Sequence, residues 1–441
     1  MRSEDKLFWI WLAEALGAGN RDFKRLIHLY KTPYEIFNAE ESELERVPEI
    51  AEKTVERLCD KSLSRAADIL EVCEKLGIGI LAYADEIFPP QLKELGRPPV
   101  LLYYKGTPFE MGELLTVGMV GTRRMSAYGL HNAYRIAYRL AKAGAVVVSG
   151  MAAGIDGVCG AAAIKSGGKT VAVLGCGPDR VYPKHHGPLM REIERTGLIL
   201  SEYPPGTPPN HYHFPMRNRL ISGLSRTTVV VEAGLGSGSL ITAKDAISQG
   251  KTVFAVPANV GSPAAEGSNG LLRDGAHVAV CAEDILQPFG YTYGKHIHEG
   301  RLIKLKEGEA EADLRYLDSL GVIELVRSED DTSPKREERN AQKPPKSKRE
   351  RAEQAPKTET EMLPPTEGQT QKNGKQTPED VLAALTPTQM AVFEAMPDDR
   401  AVSVDALSGL DYPYGEIVAA LTMLEIMGLI QKLPGALYTK F

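Results

Sequence analysis

The chain has 441 residues, enough for two or three domains with a full hydrophobic core, and its 43% hydrophobic and 25% charged content is that of an ordinary soluble protein. No apolar run approaches the roughly 18 residues of a membrane span, and the charged start Met1-Arg2-Ser3-Glu4-Asp5-Lys6 leads into an amphipathic pattern with no signal-peptide core. Five scattered cysteines, Cys59, Cys73, Cys159, Cys176 and Cys281, form no C-x-x-C pair and read as reduced thiols of a cytoplasmic protein with neither metal nor cofactor.

Residues 1–70 predict short helices. Leu7, Ile10, Trp11, Ala13 and Leu16, then Leu26, Ile27, Leu29, Ile36 and Phe37, recur at helical spacing, broken at Gly17–Asn20 and Pro33. Leu44 to Ile50, followed by Val55 and Leu58, resembles a helix-hairpin-helix or SAM-like module. Its turn is Pro48-Glu49, with no glycine to open the backbone to phosphate, so a structural or pairing role is expected of it.

From about residue 71 to 290 the pattern alternates strand, loop and helix. Short apolar runs at Thr116–Val120, Ala145–Ser149, Thr170–Leu174, Leu198–Ser201, Thr227–Glu232, Thr252–Val256 and His277–Cys281 predict strands buried on both faces. Helices are expected at Tyr128–Ala143, Ile155–Ser166, Pro188–Thr196 and Leu240–Gln249. Such alternation predicts an α/β fold, a Rossmann-like doubly wound parallel sheet. Residues 291–380 are expected to be a linker, mostly disordered: 328–380 lack Phe, Trp and Tyr, while 291–327 give no strong pattern. Residues 381–441 predict a winged helix, with helices at Thr386–Met396, Ser403–Leu410 and Tyr414–Met427, then a hairpin across Pro434-Gly435. The third helix carries Glu416 and Glu425 and no Lys or Arg, so it is expected to contact protein rather than phosphate.

The net charge of −6 conceals an asymmetry. Residues 117–290 hold 17 Lys/Arg against 11 Asp/Glu, whereas 1–116 hold 15 against 21 and 291–441 hold 20 against 26. A basic core between acidic arms fits a polyanion partner.

In an open parallel sheet, ligands bind beyond the carboxyl ends of the strands. There the chain places Gly121-Thr122-Arg123-Arg124-Met125-Ser126, Ser149-Gly150-Met151-Ala152-Ala153-Gly154 and Ala233-Gly234-Leu235-Gly236-Ser237-Gly238-Ser239. Each loop joins small residues to a helix start, so backbone N–H groups can converge on an anion. One such loop is an ordinary tight turn; three together with nearby arginines point to an anion site. The stretch His213 to Ser225 admits two readings from its pattern alone. Phe214 stacks on a base with Arg217 and Arg219 on phosphates, or Phe214 is core and the arginines are surface ion pairs.

Several motifs resemble the DNA-processing A (DprA/Smf) family in family order across residues 80–280. They are Gly121-Thr122-Arg123, Gly154-Ile155-Asp156, Val173-Leu174-Gly175, Tyr182-Pro183, the Phe214–Ser225 block, Ser237 to Ala243, Phe254-Ala255-Val256-Pro257 and Gly267-Ser268-Asn269. The resemblance implies a binder of single-stranded DNA rather than an enzyme, a homodimer paired through the Rossmann-like core, and help in loading the RecA recombinase during natural transformation. By motif it implies phosphate contacts from Arg123, Lys184, Arg217 and Arg219, and a base stacked on Phe214. Ser126, Gly150, Asn218, Gly238, Ser239 and Asn269 would complete the site. The chain departs from the family pattern at Gly160, where a His is usual, at His185-His186 and at Asn259.

Three rival readings are weaker. A nucleotide phosphoribohydrolase on a similar sheet would carry Pro-Gly-Gly-x-Gly-Thr where this chain has Gly234-Leu235-Gly236-Ser237-Gly238-Ser239, and Glu232 or Asp156 lacks a base or nucleophile beside it. A dinucleotide oxidoreductase would show G-x-G-x-x-G after the first strand. A winged-helix transcription regulator would not carry an acidic third helix.

Overall fold

The structure, a computed structural model, describes residues 3–306 and 308–324 and, towards the C-terminus, 385–397 and parts of 402–440. It divides into two units, Met1–Arg336 and Glu337–Phe441.

The first unit opens with six helices: α1 (Ser3–Leu16), α2 (Phe23–Tyr30), α3 (Pro33–Asn38), α4 (Glu41–Leu44), α5 (Glu52–Cys59) and α6 (Ser64–Leu76). Breaks fall where the sequence places them. Gly17 and Gly19 take left-handed backbone, and Thr32 caps α3 with Pro33 in its first turn. The Pro48-Glu49 turn is closed by Arg25, which donates to the Pro48 carbonyl and the Glu49 carboxylate, both at 2.8 Å.

Strands β1 (Gly79–Ala82) and β2 (Leu101–Gly106), with α7 (Pro90–Lys93) between them, were not foreseen. They run antiparallel, β1 on β2 and β2 on β6, so the sheet is not wholly parallel. Their apolar residues complete the helical module: Ile80, Ala82, Leu101 and Tyr103 share one core with Trp9, Phe23, Leu26 and Leu58. The boundary expected near residue 70 therefore crosses a continuous core.

The parallel strands are β3 (Thr116–Val120), β4 (Val146–Ser149), β5 (Lys169–Leu174), β6 (Leu198–Ser201), β7 (Thr227–Val230), β8 (Thr252–Ala255) and β9 (His277–Val278), in the order β1-β2-β6-β5-β4-β3-β7-β8-β9. Helices α8 (Ala127–Lys142), α9 (Ile155–Lys165), α10 (Gly187–Thr196), α11 (His213–Leu224), α12 (Ser239–Ser248) and α13 (Glu266–Arg273) connect them. Side chains alternate between two cores, as a strand buried on both faces demands. Val147, Ala172 and Leu174 pack with α8 and α9, whereas Val146, Val148, Val171 and Val173 pack with α7, α11 and α12. Chain order turns back at β3, with β4 on one side and β7 on the other. The predicted strand His277–Cys281 is only two residues long, because Asp284 takes the N–H groups of Val280 and Cys281 to start a new helix.

The linker expected from residue 291 starts later. Short helices Gly290–Tyr293, Gly300–Ile303 and Leu314–Ser319 bury Tyr293, Ile297, Leu302, Leu317, Leu320 and Val322 on the α8–α9 face. These apolar residues are too irregularly spaced to show a period, yet they cover a surface already formed. Glu309 accepts from Tyr138 at 2.8 Å and Lys142 at 3.1 Å, and Asp313 pairs with Lys165 at 3.0 Å. The rest of the predicted linker, 325–380, lies outside the described residues. No helix among those described is long and apolar enough to cross a membrane.

In the second unit, helix Pro387–Ala395 is capped by Thr386 in a capping box with Gln389. Strands β10 (Val402–Ser403), β11 (Ile430–Leu433) and β12 (Leu437–Lys440) form an antiparallel sheet in the order β10-β12-β11. The expected helix at Ser403–Leu410 is a strand end followed by a 3₁₀ turn, Val404–Leu407. Much of the third predicted helix lies outside the described residues. Within it Ile417, Ala420, Leu421 and Leu424 are helical and buried at i, i+3, i+4, i+7 spacing.

Candidate nucleic-acid interface

The three glycine-containing loops meet at the carboxyl ends of β3, β4 and β7, around a cleft of about 730 Å³. What holds them together is buried charge. The Asp156 carboxylate accepts backbone N–H groups of Gly121, Gly150 and Ala152, the Gly150 bond being 3.1 Å. Arg217, reaching in from α11, donates to the Gly150 carbonyl at 2.7 Å and to the Val173 carbonyl. One carboxylate and one guanidinium thus tie the ends of β3, β4 and β5. Burial pushes the Asp156 carboxyl up and the Arg217 guanidinium down, and each partner's charge opposes the other's shift. A Cβ on Gly150 would sit 2.6 Å from both the Arg217 and the Asp156 side chains, so only glycine fits there. Gly154 is needed for its left-handed backbone, φ 82°, and for close approach to the Thr122 carbonyl.

Glu232, at the end of β7, is also buried and committed. It accepts from Ser126 N at 2.8 Å and from Ser126 Oγ at 2.5 Å, while Ser126 Oγ caps α8 through Gly129 N at 3.0 Å. Behind the β4 loop, His186 Nδ1 faces the Met151 carbonyl at 3.1 Å. Burial pushes its imidazole down to about 4. Met151 itself holds a left-handed φ of 52°, so this contact fixes a backbone that an L-residue seldom adopts.

Six of the expected site residues line the cleft: Arg123, Phe214, Arg217, Asn218, Gly238 and Ser239. The Arg123 guanidinium lies 5.1 Å above the Phe214 ring, whose edge abuts Gly175 and whose neighbour at 5.2 Å is Tyr182. Asn218 Nδ2 donates to the Gly238 carbonyl at 3.3 Å, joining α11 to the β7 loop. Ser239 opens α12, its hydroxyl 2.7 Å from that of Ser237.

The structure places the other five elsewhere. Arg219 is nearly buried and paired with Glu202. Asn269 spends both ends of its amide on the Ala258 backbone. Gly150 lies beneath Arg217, Ser126 is the α8 cap, and Lys184 is exposed on the turn that follows Tyr182. Arg124, Tyr182, His211 and Ser237 also line the cleft, although no role was expected of them; Arg124, Tyr182 and Ser237 sit inside the loop and motif segments that pointed to the site. Among the described residues neither Arg123 nor Arg124 is in an ion pair, whereas other cations of the basic core are: Arg139 with Glu283, Lys142 with Glu309, Lys165 with Asp313. Arg123 and Arg124 thus stand exposed at the cleft with no carboxylate partner among the described residues. The Gly160 departure lies away from the cleft, facing Ile193 of α10.

Two outcomes follow from the buried groups. Asp156→Ala leaves Arg217 buried without a counter-charge and is expected to cost about 3–5 kcal/mol, read by denaturant unfolding; a loss under about 1 kcal/mol would contradict the loop-tying role. Because the folded-state pKa of His186 lies below its unfolded value, the unfolded chain takes up the extra proton. Its contribution is full above about pH 6.5 and fades towards pH 4, by up to about 3 kcal/mol. His186→Gln should flatten that part of the stability–pH curve, and an unchanged slope would contradict it.

A family model described as DNA recombination-mediator protein A matches residues 79–290, and one described as DprA winged helix domain matches residues 376–436. The chain is 30% identical to Protein Smf of Synechocystis sp. over 444 residues, covering 100% of both. With the DNA processing protein DprA of Bacillus subtilis it shares 39% identity over 219 residues, 50% of this chain and 74% of that one. The X-ray structure of DNA processing protein A from Streptococcus pneumoniae superposes with a TM-score of 0.57 and 31% identity, over 64% of this chain and 97% of that one. Matched along its whole length and over both sheet and winged helix, the chain belongs to the DNA recombination-mediator protein A (DprA/Smf) family.

Proposed function

We propose that the chain binds single-stranded DNA in the cleft between the β3, β4 and β7 loops, without strong sequence preference, and passes the bound strand to the RecA recombinase. The observation that carries this is the pairing of Arg123 with the Phe214 ring at the cleft mouth. An unpaired guanidinium beside an aromatic face offers a phosphate contact and a stacking surface within one nucleotide's reach. Bases stack on such rings whatever their identity, with cations holding the backbone. Arg124 adds a second cation to the lining, Lys184 stands exposed on the turn that follows the cleft residue Tyr182, and the α12 start at Gly238-Ser239 adds backbone donors.

Binding rather than catalysis is the better reading because both buried carboxylates near the cleft are spent on loops: Asp156 on backbone amides of the β3 and β4 loops, Glu232 on Ser126. RecA as recipient is supported by membership of a family described as recombination mediators. Pairing of two copies through the core is supported by the open edge at β9 and the exposed Val278 and Val280 there. The winged helix, whose third helix has no Lys or Arg, is assigned to protein contact. A cytoplasmic location accords with these partners.

Fluorescence anisotropy with labelled single- and double-stranded oligonucleotides across a salt series tests the binding reading. The single strand should be preferred, with log affinity falling linearly in log salt. Arg123→Glu and Lys184→Glu should each weaken it by about tenfold, and deletion of residues 328–441 should leave it intact. Full binding by both charge reversals would overturn the assigned site.

A further inference from the structure

Residues 1–116 are net acidic, yet they form a cleft of about 800 Å³ whose lining is entirely basic or apolar. Its floor is Trp9, Ile27 and Tyr83, and its rim carries Arg21, Lys24, Arg25, Lys31 and Lys93. No carboxylate lines it among the described residues. The acids of this module gather elsewhere, as Glu41, Glu45, Glu52 and Glu56 around a separate hollow. Of the five rim cations only Arg25 is ion-paired among the described residues, with Asp22 and Glu49. Lys24 and Lys31 donate to carbonyls of Leu95 and His28, which leaves their charge uncompensated. Lys93 stands 5.3 Å over the Tyr83 ring, and Leu29 at the edge is 52% exposed.

This cleft is joined to the loop cluster through α11. Gly19 N donates to Glu202 at 3.2 Å, and Gly19 fits so closely against α11 that an added Cβ would lie 2.3 Å from Met216 Cε. Arg21 follows two residues later, while the same helix carries Phe214 and Asn218 into the candidate interface. We infer that the basic cleft of the N-terminal module is a second binding surface for single-stranded DNA, taking the part of the strand that leaves the β3–β4–β7 loops. A concave floor of aromatic and aliphatic groups under a cationic rim suits unstacked bases and their phosphates; a duplex keeps its bases covered and would meet only the rim. The inference rests on the loop cluster holding the first part of the strand.

The test uses the full chain and two oligothymidylates, one of about 6 nucleotides, within the reach of a single site, and one several times longer. The Arg21→Glu/Lys24→Glu/Lys31→Glu variant should bind the short strand as the parent does. It should bind the long strand about tenfold more weakly, with a salt slope shallower by about 2. Arg123→Glu should weaken both lengths. Parent-like binding of the long strand by the triple variant overturns the second surface and leaves the first standing. If the parent binds neither length, the reading of the loop cluster fails, and this inference falls with it. Lysine acetylation of the parent chain gives a readout that no folding defect can mimic. The long strand should protect Lys24, Lys31 and Lys93, and the short one should not. Unprotected lysines, or protection by polyglutamate but not by the long strand, would overturn the inference; the latter result would mark an acidic protein segment as the occupant.

Discussion

The carboxylate of Asp156 and the guanidinium of Arg217 are both buried and near enough for each to favour the other's charge, and the geometry of the loop cluster depends on the pair. Taking two charges out of water costs several kcal/mol each, and their attraction offsets this only when further hydrogen bonds satisfy both groups. Here they do. Asp156 collects amides from the β3 and β4 loops, and Arg217 caps carbonyls at the ends of β4 and β5. The result is a rigid frame around three loops that on their own would be ordinary turns. Glu232 repeats the device at the end of β7, holding Ser126 and through it the start of α8. While these buried polar groups serve one another, Arg123, Arg124 and Lys184 are exposed and, among the described residues, outside any ion pair.

That division of labour was only half visible in the sequence. Loop positions were legible because glycine-rich segments follow apolar runs at the ends of parallel strands, a relation local in the chain. Phe214 and Arg123 were legible too, through motif resemblance. The fate of each arginine was not: Arg217 and Arg219 are two residues apart on one helix, so they point in different directions. One enters the interior towards Gly150, and the other pairs with Glu202 across from Gly19. Asn269 reads as a free amide until Ala258 is seen to take both of its ends. Such partners are set by tertiary packing and leave no period in the sequence.

The same limit explains the larger departures. Gly79–Ala82 and Leu101–Gly106 are short and separated by a long, proline-bearing connection, so their antiparallel pairing emerges only once the helical module covers them. Residues 291–324 look like linker because their apolar side chains lack regular spacing. They are held by the α8–α9 face and by Glu309 and Asp313, which neutralise Lys142 and Lys165. Glu309 and Asp313 therefore remove positive charge from the α8–α9 face, while Arg123 and Arg124 at the strand ends have no such partner among the described residues.

The central claim is that a single strand lies against Phe214 between the three loops. Photocrosslinking of an oligonucleotide carrying bromodeoxyuridine, followed by peptide mapping, tests it most directly. The account predicts adducts in the peptides that contain Tyr182 and Phe214, lost when both residues are replaced by leucine. Adducts confined to the C-terminal winged helix, with none around the loop cluster, would contradict it.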